Sequence, residues 1–225
     1  MDTFLKRNGN KINISSTGTN LKYWLNSSLV GIISFVMASL YLFASRGNFD
    51  LYIANKALAN ASLILIGLSM ALSGICYFWD FADKKISYRK YIGVVGFVMA
   101  LIHAVISLWF LPKRFNWAFF LDNLETFIPG LLALVLLAGM VLLSHQHAAK
   151  KVGGALWRKL LRWLGYSAVI LIIVHFGLMK YKGWIKWFKT GEPALPPLSF
   201  WIVIFAIAVL VLRVCLWLAE KTKSK

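Results

Sequence analysis

The sequence predicts an all-α integral membrane protein, a six-transmembrane-helix bundle with both termini cytoplasmic. Three observations carry that prediction. Of the 225 residues, 60% are hydrophobic and the mean hydropathy is +0.70, well above an ordinary soluble domain. Six windows lack Asp, Glu, Lys and Arg altogether: 23–45, 57–79, 91–112, 126–149, 163–179 and 193–212. The cations fall between those windows, with a bias toward alternate loops.

Each window is long enough, or nearly so, to cross a hydrocarbon core of about 30 Å, for which about 20 apolar residues suffice. The first begins after a stretch rich in Asn, Ser, Thr and Lys, so residues 1–25 read as a polar cytoplasmic tail. That first window is long for a cleavable signal and no convincing small-residue site follows it, so it reads as a retained helix. The second holds Cys76, and Cys215 lies near the end of the last; both read as small hydrophobes rather than a disulfide pair. The fourth opens beside Asp122 and Glu125, acids that suit the first turn of a helix. The fifth is the shortest and reaches full length by including Leu160 and Leu161, and the sixth follows the Pro-rich entry "EPALPPLSF". Residues 26–220 therefore form one transmembrane domain, and 221–225 a short basic cytoplasmic tail.

Orientation follows from the cations. With a cytoplasmic N-terminus, sixteen fall inside, among them Lys84, Lys85, Arg89, Lys90, Arg158, Lys159 and Arg162, and eight outside, with Arg213 left within the sixth span. Nine tryptophans cluster near window ends, where an indole N–H stays hydrated. The formal charge of +17 thus belongs to loops at a lipid surface, and no nucleic-acid module is present in the pattern.

Two histidines lie deep in the spans, His103 in the third and His175 in the fifth, whereas His145 and His147 stand at the end of the fourth in "SHQHAAK". Ionisable groups within a bilayer mark a function or a specific partner. His103 is thirteen residues from Lys90, and His175 thirteen from Arg162. Both helices run the same way, so both imidazoles sit about 20 Å from the same boundary, in the outer half of the bilayer. Two imidazoles at one level can clamp a flat metal macrocycle, and histidine is an axial ligand of haem iron. Gly93, Gly96, Ala100, His103 and Ser107 share one face of the third helix, and Gly165, Ala168, Ile172, His175 and Met179 one face of the fifth. Such small-residue stripes serve either as a cofactor wall or as plain helix packing.

The segments "YRKYIGVVGFVMALIHAVISLWFLP", "LLALVLLAGMVLLS" and "WRKLLRWLGYSAVILIIVHFGLMK" resemble the third, fourth and fifth helices of the ferric reductase-like transmembrane domain family. In size and layout the chain is similar to the haem-binding membrane subunit that accompanies bacterial periplasmic methionine sulfoxide reductase. The resemblance spans roughly residues 28–220 and rests on few specific positions. It implies that His103 and His175 are the axial ligands of a haem b. It also implies electron transfer across a bacterial inner membrane, from a quinol or a cytoplasmic flavin reductase to an extracytoplasmic redox partner. That role is one subunit's part in an oxidoreductase system rather than a stand-alone enzyme.

One departure bears on stoichiometry. Where the family commonly has a second histidine after W-x-x-L, "WRKLLRW" has Leu161, which cannot ligate iron, so one haem is expected and a second lacks its ligand unless His145 or His147 replaces it. A quinone or flavin would then approach near Arg89, Lys90, Arg158 and Arg162, a cationic rim that equally suits lipid headgroups. Lys180 and Lys182, one to two turns beyond His175, are candidates for the haem propionates. The alternative from another class is a haem-free membrane transporter or assembly scaffold, in which the histidines only join helices.

Overall fold

The computed structural model describes residues 17–79, 83, 85–144 and 151–223. His145 and His147 lie outside the described residues. Among the described residues the chain is helical, with no strand. The elements are α1 (Thr17–Arg46), α2 (Leu51–Phe78), α3 (Tyr88–Val105) continued by a π-helical turn (Ile106–Phe110), the short α4 (Trp117–Asp122), α5 (Leu124–Leu143), α6 (Gly154–Thr190) and α7 (Leu198–Lys223). All but α4 are long and apolar enough to cross a membrane, six helices in all.

Several boundaries differ from the uncharged windows, for a common reason. Charge ends contact with lipid, but it does not end a helix, since Lys, Arg and Glu are good helix formers. α1 starts at Thr17, within the stretch read as a tail. α2 starts six residues before its window because Asp50 caps it, its Oδ1 accepting from the Ile53 N–H at 2.7 Å, and Lys56 rides in its second turn. α6 has 37 residues where 163–179 is uncharged, which makes it about 55 Å long. It ends at Gly191, whose φ of 68° is the left-handed conformation that closes a helix.

α2 is the hub. More than half of its apolar window is buried, against a third or less for every other span. Leu63, Ile66, Met70 and Ala71 meet Leu137 of α5, Ala168 and Val169 of α6, and Ile202, Ala206 and Val209 of α7 in one core. On its other side Ile53 and Ala57 pack on Ala38 and Leu42 of α1. Lipid tails compete for apolar contact, so close approach of small residues and interhelical hydrogen bonds must hold such a bundle. Both are visible: Ser62 Oγ donates to the Gly96 carbonyl at 2.8 Å, and Trp157 Nε1 ties the start of α6 to the Leu143 carbonyl of α5.

A candidate cofactor cleft between four helices

α2, α3, α5 and α6 leave a cleft between them, roofed by the aromatic segment that contains α4. It encloses about 200 Å³ and is partly open to the surroundings. Its walls are mostly apolar, and both His103 and His175 border it, from α3 and α6.

The two small-residue stripes divide at this level. On α3, Gly93 and Gly96 are packing positions: a Cβ on Gly93 would meet Ser69 Oγ at 2.9 Å, and one on Gly96 would stand 3.0–3.2 Å from Ile66 and Leu65 of α2. Ala100, His103 and Ser107 instead face the cleft. On α6, Gly165 lies against Met140 and Ala168 is fully buried in the core, while Ile172, His175 and Met179 line the cleft. Each stripe is thus packing at one end and wall at the other.

Each imidazole is held at Nδ1. His175 Nδ1 lies 2.7 Å from the Thr126 carbonyl of α5. His103 Nδ1 lies 2.9 Å from Asn55 Oδ1 and 3.1 Å from the Asn55 carbonyl, both on α2. A carbonyl only accepts, so each Nδ1 carries the proton and donates, and each Nε2 keeps its lone pair. Neither Nε2 has a hydrogen-bond partner among the described residues. The second anchor is itself anchored. Asn55, 2% exposed, donates from Nδ2 to Ser107 Oγ at 2.8 Å, and Ser107 Oγ donates to the His103 carbonyl at 2.9 Å. That closed loop of Asn55, Ser107 and His103 sits where α3 passes into its π-helical turn, a feature that recurs at functional sites.

Thr126 and its neighbours show the same economy of space. A Cβ at Gly130 would lie 2.8 Å from His175 Nδ1 and 3.0 Å from Cε1, so only glycine lets the ring lie against α5. Phe115, Phe119, Phe120 and Phe127 close the roof, with Phe120 and Phe127 centroids 4.8 Å apart.

The remaining sequence candidates fall outside the cleft lining. Lys180 is half-buried one turn beyond His175, within electrostatic reach of Lys56, Tyr52 and Arg46. Lys56 Nζ and the Arg114 guanidinium both stand over the Tyr52 ring, at 4.1 and 3.9 Å. Lys182 is exposed, 5.9 Å from the Tyr181 ring. Among the described residues no three His, Cys, Asp or Glu side chains gather as a metal cluster. A bare ion would need three or four such ligands, whereas a macrocycle brings its own in-plane set and asks the protein for axial ones.

Compared with known proteins, the chain matches no family model and no curated sequence.

Sequence reasoning had no hold on Asn55, Thr126 and Gly130. Asn55 lies beside Lys56, outside the uncharged window, and the Thr126 contact uses a backbone carbonyl that any residue supplies. An Asn buried in an apolar helix was the one usable signal.

Proposed function

We propose that the chain is a b-type-haem membrane subunit of the ferric reductase-like kind. In this reading it passes electrons across a bacterial inner membrane, with both termini cytoplasmic, from a quinol or flavin donor to an extracytoplasmic acceptor or partner reductase. One observation carries the reading: two histidines from different helices border one cleft, each with Nδ1 fixed by a carbonyl and Nε2 unengaged. Histidines that serve only as interhelical tethers need no open space at their second nitrogen. Metal-ligating histidines have this pattern, with the outer N–H donated to a carbonyl that sets tautomer and orientation.

The residues fit a haem. His103 and His175 would hold its iron, and Ala59, Ala100 and Ala104 present small side chains to the same cleft. Lys180, one turn beyond His175, is the nearer of the two sequence candidates for its carboxylates, and Lys182 is exposed. Bound there, a haem supplies reversible one-electron chemistry. The chain's own part is to hold and insulate. Asn55 and Thr126 fix the rings and raise the basicity of the nitrogens opposite. The phenylalanine roof and the apolar walls lower the local dielectric, which would adjust the reduction potential.

Purified protein expressed with ample haem tests this directly. A Soret band that shifts on dithionite reduction is expected, with about one haem per polypeptide by pyridine haemochromogen, since one histidine pair borders the cleft among the described residues. Colourless protein would leave the haem-free transporter or scaffold.

A further inference from the structure

α7 carries one cation deep in its apolar run. Arg213 is 7% exposed. Its Nε and Nη2 both donate to the Tyr166 hydroxyl of α6, at 3.2 and 2.9 Å, and its Nη1 is buried with no hydrogen-bond partner. A second guanidinium stands near it. Arg89, at the start of α3, is within electrostatic reach of both Arg213 and Arg162. Among the described residues neither Arg89 nor Arg213 forms an ion pair with a carboxylate, Asp83 included.

Four helices meet at this point. A Cβ at Gly74 of α2 would stand 2.7 Å from Leu212 of α7, one position from Arg213. Beside Gly74, Ser73 has a buried Oγ with no hydrogen-bond partner. One turn away on the same face, Ser69 Oγ donates to the Arg89 carbonyl at 2.7 Å. Arg89 lies fourteen residues before His103, so this place is about 20 Å along the bundle from the cleft.

A guanidinium stays protonated, so it cannot relieve burial by losing its charge. Leaving such a cation without a carboxylate inside a bundle, with a second one in electrostatic reach, costs far more than the single tyrosine hydroxyl returns. The natural complement of these groups is an anion, and one with oxygens enough for two guanidinium forks and a hydroxyl. A phosphate meets both conditions, because planar forks match its oxygens in pairs.

We propose that Arg213, Arg89 and Ser73 form a binding site for a phosphate group. The group belongs either to an anionic lipid headgroup or to a soluble phosphate compound. The site is independent of what fills the histidine cleft.

The test uses the full-length protein in detergent, stripped of lipid by extended washing. Thermal unfolding is followed with inorganic phosphate, with mixed micelles containing phosphatidylglycerol, and with sodium chloride at matched ionic strength. Stabilisation by phosphate points to the soluble source, and stabilisation by phosphatidylglycerol alone points to the headgroup. Arg213→Gln should weaken either response about tenfold or more, as expected for removal of one partner of a buried charge pair. Arg213→Lys keeps the charge but not the fork and should weaken it less. Should Arg213→Gln not fold, Arg89→Gln takes its place and should weaken the response likewise. No stabilisation beyond matched salt, or an equal response in the folded variants, overturns the proposal.

Discussion

The histidine cleft and the Arg213 site are two regions in which ionisable side chains enter apolar helices, and they are satisfied in opposite ways. In the cleft each imidazole donates its Nδ1–H to a carbonyl, of Asn55 or Thr126, and keeps Nε2 without a hydrogen-bond partner among the described residues. At Arg213 the charge is permanent and meets one hydroxyl, with a second guanidinium nearby. The difference teaches that a buried histidine can be completed by backbone and still have a nitrogen to offer, whereas a buried arginine is incomplete until something negative arrives. The first arrangement suits a ligand-holding role and the second a charge-matching one.

The largest effects that would sharpen this contrast are at the rings themselves. His103→Ala and His175→Ala should each abolish or convert a low-spin haem spectrum while leaving the phosphate response intact. Unchanged spectra in both variants would remove the ligand assignment. Gly130→Ala comes next: its Cβ displaces the His175 ring from the Thr126 carbonyl. Haem occupancy should fall sharply, with a stability loss of about 1–3 kcal/mol by thermal unfolding. Asn55→Ala should lower haem affinity by about 10–100-fold, the usual effect of losing a partner that orients a ligand, and haem transfer to an apo-globin acceptor would measure it. Gly96→Ala is the smallest at the cleft, because its Cβ meets Leu65 and Ile66 rather than open space. It should cost about 1–3 kcal/mol in stability with an unaltered haem spectrum. A spectral change there would mean that the lower part of the α3 stripe belongs to the wall after all.

How far the sequence foretells these regions depends on the kind of interaction. The six spans are legible because lipid solvation acts on every residue in a window, and the outcome needs no knowledge of neighbours. The two histidines stand out for the same reason, as polar exceptions in an apolar run. The division of each stripe into packing and wall was not legible, since Gly96 and Ala100 differ only in what the facing helix places opposite them. The Thr126 anchor leaves no trace at all in side-chain identity. Helix lengths were misjudged where cations extend past the lipid, most of all in α6, whose ends carry Arg158, Lys159 and Arg162 on one side and Lys180, Lys182, Lys186 and Lys189 on the other.

That length has a geometric outcome. A rod of about 55 Å in a slab of about 30 Å would need a slant well beyond the usual range of about 0–40° to stay submerged. α6 must therefore reach beyond the hydrocarbon core into the headgroup region. Its far end is braced by Trp184, whose Nε1 donates to Ser199 Oγ, and by Trp187, which donates to the Pro193 carbonyl. The lysines of that end, Lys180, Lys182, Lys186 and Lys189, thus lie at the depth of the lipid headgroups or past it.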